Sequence, residues 1–265
     1  MTPNLENLCL KVADLARTTG EFIRNESRNF DLSKIEHKGP SDLVSYVDKE
    51  TEIKLVKGLS ALFPEAGFIT EESTVAKEDK EYKWVIDPLD GTTNFLHGLP
   101  VFSISIALLQ NTTLLIGVVY EVNLDECFYA WKDGGAYLNG KKISVSPINI
   151  MRESLIASGF PYSQKNKSNN HFTILQELQD ISHGIRRLGS AAVDLSYVAC
   201  GRFQAYYEFN LNIWDIAAGI LLVQEAGGTI CDFDGGKDYL YGKELLASGP
   251  IKNQMLEVIQ KHWNS

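Results

Sequence analysis

The chain has 265 residues, 44% of them hydrophobic and 22% charged, which suits one large core or two closely packed smaller ones. Its net charge of −9, from 25 basic and 34 acidic residues, comes with no basic run above Lys141-Lys142 or Arg186-Arg187, so there is no nucleic-acid footprint. The apolar stretches Val101 to Leu109 and Ile216 to Val223 fall well short of the ~20 residues that span a bilayer.

The opening Met-Thr-Pro-Asn-Leu-Glu lacks a basic-then-apolar leader pattern, and a cytoplasmic address is expected. Cys9, Cys127, Cys200 and Cys231 form no Cys-x-x-Cys pair and read as reduced, mostly buried thiols. The acidity carries a chemical consequence: an anionic ligand would need positive charge from outside the side chains, and a metal ion could supply it.

Helical spacing of Leu5, Leu8, Val12, Leu15, Ala16, Phe22 and Ile23 predicts an amphipathic helix over residues 5 to 23. A polar loop is expected from Ser33 to Asp42. A second helix should begin near Asp48 and run to Phe63, burying Ile53, Val56, Leu59 and Leu62, with Pro64 as its stop. Trp84-Val85-Ile86 reads as a buried strand ending at Asp87-Pro88, and Phe102, Ile104, Ile106 and Leu108 as a half-buried one. A meander through Leu114 to Tyr120, Cys127 to Trp131, Ala136-Tyr137 and Ile143 to Val145 follows, with turns at Asn111, Asp133-Gly134-Gly135 and Asn139-Gly140.

Past Pro147 the pattern becomes alternating. Strands at Leu155 to Ala157, Phe203 to Tyr207, Thr229 to Cys231 and Leu245 to Ala247 are interleaved with helices near 170–182, 190–200, 213–226 and 251–262. An α/β protein of two packed subdomains is expected, residues 1–147 with helices on an antiparallel sheet and residues 148–265 more α/β in style.

The richest segment is Trp84 to Phe95. A strand delivers Asp87, and Pro88 is expected to force the chain out of the sheet. Asp90 follows across a tight turn, Gly91 allows close backbone approach, and Thr92 to Asn94 open a helix whose N–H groups could cradle phosphate. Carboxylates beside an anion site call for hard cations between them, Mg²⁺ or Mn²⁺. Asp-Pro-x-Asp-Gly alone favours an ordinary β-turn. Glu71-Glu72 alone suits a solvated helix start, and Asp215 a helix-capping acid.

Together, Asp87-Pro88-x-Asp90-Gly91-Thr92, Trp214-Asp215-x-Ala217-Ala218 and Glu225-Ala226-Gly227-Gly228 resemble the inositol monophosphatase family, which includes fructose-1,6-bisphosphatases and 3′-phosphonucleotidases. The resemblance extends from about Lys38 to Gly228 and implies a layered αβαβα sandwich of the α+β kind. It implies that Glu71, Asp87 and the Leu89 carbonyl hold one metal ion and Asp87, Asp90 and Asp215 a second. A third ion would reach Glu71 through water. Gly91 and Thr92 would hold the phosphate, and Glu71, Thr92 and Asp48 would order and activate water. Gly189, Ser190, Ala191 and Glu208, with Asp90 and Asp215, would line a polyol pocket, and Lys38 would sit on a flap. Mg²⁺ dependence, lithium sensitivity and a homodimer follow from the same resemblance.

Thr93-Asn94-Phe95 and Glu208 point to the inositol type, whereas the nucleotidases carry Lys-Glu-Phe after the threonine. No clear basic set for a second sugar phosphate stands out. An aspartyl-phosphate route normally uses Asp-x-Asp, which this spacing does not give. A regulatory protein that has kept the fold without the activity would show a lost ligand or a basic patch.

Overall fold

The structure is a computed structural model describing residues 3–28, 30, 35–39, 42–76, 78–160 and 165–263, with the side chains of residues 35–39, 42–44 and 165–166 outside the described set. Helix α1 covers Leu5–Ser27, and its Asn4 cap accepts the Asn7 N–H at 3.0 Å. Strands β1 (Ile35–Gly39) and β2 (Asp42–Ser45) pair antiparallel where a loop was expected. The Lys38 side chain lies outside the described residues.

Helix α2 spans Tyr46–Leu62, starting before Asp48 because Ser45 is its cap. Asp48 is its third residue and reaches back to accept the Ser45 N–H at 2.8 Å, a reciprocal capping arrangement. The buried face differs from the expected one: Val47, Asp48, Thr51, Glu52, Leu55 and Leu59 face inward, while Ile53 is 49% exposed. Asp48 and Glu52 occupy that inner face because they tie down other segments. Glu52, for example, accepts the N–H groups of Glu72 and Thr74, each at 2.7 Å. Apolar periodicity cannot register that role.

A seven-stranded sheet follows, from β3 (Gly67–Thr70), β4 (Tyr82–Asp90), β5 (Ser103–Gln110), β6 (Thr113–Glu121), β7 (Glu126–Trp131), β8 (Gly135–Leu138) and β9 (Lys141–Ile143), in that spatial order. Only β3–β4 is parallel; the rest is an antiparallel meander. The short helix α3 (Thr92–Leu96) interrupts it after β4.

The second sheet has the order β11-β10-β12-β14-β13, from β10 (Leu155–Ser158), β11 (Gly184–Arg186), β12 (Ala205–Phe209), β13 (Thr229–Cys231) and β14 (Glu244–Ser248). Helices α4 (Lys165–Ile181), α5 (Ala191–Ala199), α6 (Ile213–Glu225) and α7 (Lys252–Trp263) alternate with these strands.

Three buried clusters define an αβαβα sandwich. One joins α1 and α2 to the large sheet, a second joins α5 and α6 to both sheets, and a third joins α4 and α7 to the small sheet. Strand parity sorts residues between the layers: Trp84 and Ile86 face the first two helices, and Val85 faces α5 and α6. Strand β5, expected to be half-buried, is buried on both faces. Ile104, Ile106 and Leu108 meet the first cluster, and Ala107 and Leu109 meet the second. The alternating small residues make room for a helix rather than for water.

Cys9, Cys127 and Cys231 are buried, Cys200 is partly so, and all four are free thiols. Among the described residues, no helix is long and apolar enough to cross a membrane.

Candidate active site

Strand β4 does not end at Pro88 as expected; it continues to Asp90 through a bulge. Asp87 pairs with Ser105 and Asp90 with Ser103, so three steps on one strand match two on the other. Proline lacks the N–H that a regular ladder needs, and a bulge tolerates it. The bulge also settles where the acids point. In a regular strand Asp87 and Leu89 would share a face and Asp90 would oppose them. Leu89 instead packs with Ile86 in the first cluster, which turns Asp90 onto the side of Asp87.

Gly91 follows with φ 101°, a left-handed conformation, and a side chain there would meet the Val101 carbonyl at 2.9 Å. Glycine alone fits this corner without strain. Helix α3 then starts at Thr92, whose hydroxyl stands 3.0 Å from Asp48 Oδ1 and 3.0 Å from the Leu89 carbonyl.

Glu71 leaves the end of β3, where its N–H donates to the Ile86 carbonyl at 3.3 Å and so aligns it beside Asp87. Asp215 enters from the other layer as the third residue of α6 and accepts the Asn212 N–H at 2.7 Å. Asp87 is 2% exposed, and Glu71, Asp90 and Asp215 are half-buried. Burial raises the Asp87 carboxyl well above its ordinary range, and the charges of Glu71, Asp90 and Asp215 raise it further. Asp215 is raised well above its ordinary range, by burial first and then by Asp90.

Asp90 rises less, to about 6, because burial is opposed by hydrogen bonds from Ser190 and from the first backbone N–H groups of α5. Ser190 Oγ and the Ala192 N–H each donate to Asp90 Oδ2 at 2.7 Å. The N-terminus of α5 is thus engaged by a carboxylate of the protein itself. Ser190 is buried and serves as the α5 cap, accepting the Val193 N–H at 3.3 Å.

Asp48 is buried, and burial raises its carboxyl despite hydrogen bonds from Ser45 and Thr92. Its Oδ2 accepts both the Ser45 N–H at 2.8 Å and the Ser45 hydroxyl at 2.7 Å. Glu208, near the end of β12, accepts the Tyr206 hydroxyl at 2.6 Å and is pushed up to about 7, chiefly by burial.

Several neighbours escaped the sequence reading. Gly159 approaches Glu208 so closely that a Cβ there would lie 1.8 Å from Glu208 Oε2. Asn94 donates to the Val101 carbonyl at 2.7 Å and the Leu188 carbonyl at 2.8 Å, tying α3 to the segment before α5. Asp194 is fully buried with Oδ1 unpartnered, and its carboxyl is raised well above its ordinary range by burial, then by Glu208 and Asp90. No local pattern marks Gly159, and Asn94, placed at a helix start by the sequence, gives no local sign of its ties to Val101 and Leu188. An acid on the apolar stretch Ala191 to Ala199 was a legible anomaly at Asp194.

Among the described residues, no group of three or more His, Cys, Asp or Glu side chains is arranged to hold a metal ion as the side chains stand. The donor set nevertheless suits hard divalent cations: all the donors are oxygens, and Asp87 is raised by burial and by its acidic neighbours alone among its main influences. Positive charge at this point would relieve a cost that protons otherwise relieve.

Comparisons with known proteins agree with this geometry. The profile described as "Inositol monophosphatase family" matches residues 5–264. An "Inositol-1-monophosphatase" of Mesorhizobium japonicum is 40% identical over 226 residues, covering 84% of this chain and 85% of that protein. The "Nus factor SuhB" of Escherichia coli is 39% identical over 236 residues, covering 89% and 88%. Among solved structures, the "extragenic suppressor protein suhB" of Bartonella henselae superposes with a TM-score of 0.90 at 36% identity, covering 98% of this chain and 99% of that one. The inositol monophosphatase of Anabaena gives 0.88 at 32%, covering 98% of each chain. With sequence and fold in agreement over nearly its full length, this chain belongs to the inositol monophosphatase family.

Proposed function

We propose that this protein is a Mg²⁺-dependent phosphatase that hydrolyses inositol 1-phosphate to myo-inositol and phosphate by direct attack of water. The observation that carries the reading is the mutual electrostatic influence of Glu71, Asp87, Asp90 and Asp215, drawn from the edge of the large sheet and from helix α6, together with the Asp48–Thr92 hydrogen bond.

Glu71, Asp87, the Leu89 carbonyl, Asp90 and Asp215 would hold two Mg²⁺ ions, or Mn²⁺ in their place, with a third at Glu71. Such ions lower the pKa of water towards neutrality and stabilise charge on the phosphoryl oxygens. Thr92 gives its hydroxyl proton to Asp48 Oδ1, which leaves its oxygen lone pairs to accept a proton from the attacking water. Glu71 orients that water from the opposite side. Asp48 is held in place by the Ser45 N–H and hydroxyl, so the pair is preorganised. Gly91 and Thr92 seat the phosphate. Glu208 accepts hydrogen bonds from ring hydroxyls of the polyol, near the wall formed by Gly189 to Ala191. No covalent intermediate is formed. Lithium inhibition and a homodimer belong to the same proposal.

Phosphate release from inositol 1-phosphate with Mg²⁺, abolished by EDTA and by Asp90→Asn, tests the reading. Brisk cleavage of other monoesters without cleavage of this one rejects the substrate. Covalently attached phosphate after a quenched turnover rejects the direct attack.

A second reading rests on the relatives named "Nus factor SuhB", at 38–41% identity: a regulatory role alongside or instead of catalysis. Asp90→Asn separates the two, since a binding role survives that substitution and an enzymatic one does not.

A further inference from the structure

Glu208 stands between Tyr207 and Phe209 on β12, and strand parity sends it to the opposite face from both. It shares its face with Tyr206, whose hydroxyl it accepts at 2.6 Å. Tyr207 and Phe209 belong instead to the third buried cluster, between the small sheet and helices α4 and α7. His171 lies there too. It sits on α4 one turn before Ile174 and two turns before Leu178, in line with their buried stripe, and is 1% exposed.

The His171 ring touches both segments that flank the Glu208 carboxylate. Its centroid is 5.4 Å from that of Tyr207 and 5.5 Å from that of Phe209, the two neighbours of Glu208 in the chain. On its other side it meets Phe160 edge-on at 5.9 Å. The β12 residues have further support: Phe209 packs on Trp263 at 4.8 Å and Tyr207 on Phe233 at 6.2 Å. Phe160 has less. Strand β10 ends at Ser158, whose hydroxyl donates to the Tyr207 carbonyl at 2.9 Å, and the Gly159-Phe160 step lies beyond that ladder. Phe160 is 40% exposed, its other aromatic neighbour Phe172 is 57% exposed, and His171 is the buried ring that ties it to the sheet.

Gly159 gives this tie a consequence in the pocket. A Cβ there would lie 1.8 Å from Glu208 Oε2 and 2.1 Å from Glu208 Cδ, so the Gly159 backbone is a wall against the carboxylate. The carboxylate is confined between that wall and the Tyr206 hydroxyl. We infer that His171 is a positioning residue for Glu208, holding the Gly159-Phe160 step against the carboxylate and so favouring polyol esters over monoesters without ring hydroxyls. This rests on the phosphatase reading and deepens its account of the polyol pocket. The ring works by packing. Neither nitrogen has a hydrogen-bond partner among the described residues, and burial lowers the imidazole to about 4, against the Gly159 backbone, which leaves it neutral at pH 7.

The test compares inositol 1-phosphate with p-nitrophenyl phosphate, which offers Glu208 no hydroxyl, on the full chain with Mg²⁺. His171→Ala should raise KM for inositol 1-phosphate by ~10-fold, with kcat nearly unchanged and the aryl ester unaffected. His171→Phe, which refills the space with a ring, should restore the wild-type KM. Phe160→Ala breaks the same contact from an exposed position and should reproduce the selective rise, so the test stands even where His171→Ala does not fold. Combined with Glu208→Gln, either alanine variant should add nothing further. A merely structural role would weaken both esters alike or leave both KM values in place. Either result overturns the inference, as does full additivity with Glu208→Gln. If the wild-type protein does not cleave inositol 1-phosphate, the substrate reading fails separately, and crystal structures of the alanine variants decide the role of His171. A Glu208 carboxylate displaced together with Gly159 upholds it, and one left in its wild-type place overturns it.

Discussion

Asp48 and Thr92 stand 44 positions apart in the chain and share a hydrogen bond of 3.0 Å, with the Thr92 hydroxyl donating. The same hydroxyl lies 3.0 Å from the Leu89 carbonyl, so one proton serves two acceptors. The third residue of one helix is thereby linked to the first residue of another, and the link lies where the family resemblance implies that water is activated.

Replacing Thr92 by Val keeps the shape and removes the hydroxyl. The expected loss is ~10²- to 10⁴-fold in kcat with the thermal midpoint little changed. Asp48→Asn should lose a similar factor and keep its fold, since the amide oxygen can still accept from Ser45. Single-turnover phosphate release and circular dichroism of both variants check this, and near-normal kcat in either would remove the proton relay.

Asp87 should trade activity for stability. Its carboxyl is buried among Glu71, Asp90 and Asp215, and burial and repulsion both disfavour its charge. Asp87→Asn retains an oxygen for the Leu89 N–H, which Asp87 Oδ1 now accepts at 3.0 Å. In EDTA this variant should melt roughly 2–4 °C higher than the wild-type protein, while Mn²⁺ binding and turnover disappear. A lower midpoint with calorimetric Mn²⁺ affinity intact would contradict the metal role.

The pH dependence of the metal-free protein follows from raised carboxyls. Glu208 at about 7 and Asp90 at about 6 bind protons more tightly when folded than when unfolded. Stability should therefore fall as pH rises from the unfolded carboxylate range, about 4, through those folded values, and level off above them. A loss of ~2 kcal/mol between pH 5 and 8 is expected in EDTA, with saturating Mn²⁺ recovering most of it at pH 8. Denaturant midpoints across that range provide the measurement, and a midpoint that climbs with pH would contradict it.

Glu208 and Gly159 should behave as one unit. Glu208→Gln weakens the acceptor for polyol hydroxyls and should raise KM for inositol 1-phosphate by ~10-fold, with less effect on kcat. Gly159→Ala puts a Cβ where Glu208 Oε2 now lies, 1.8 Å away, and must displace the carboxylate. Its KM effect should match that of Glu208→Gln, and the double variant should be no worse than either alone. Full additivity in that cycle would show that the contact is unimportant for binding the polyol.

Much of the fold was legible where one period dominates. The 3.6-residue spacing on α1 and the alternation along β5 are properties of neighbouring residues, and local pattern reports them. It failed at α2, where Thr51 and Glu52 take the inner face and Ile53 is left outside. It failed again at β5, whose serines and alanines looked solvent-facing and instead accommodate α6.

By itself, the amino-acid order determined which carboxylates this protein owns, the helices and strands that carry them, and the short motifs that group it with its family. Tertiary structure alone decided their convergence. A bulge at Pro88 had to rotate Asp90 beside Asp87, Asn94 had to anchor Leu188, and α6 had to cross the sheet to bring Asp215 from 125 residues beyond Asp90. The physical reason is that proximity between distant segments comes from shared burial and paired backbone groups, which no stretch of chain encodes alone.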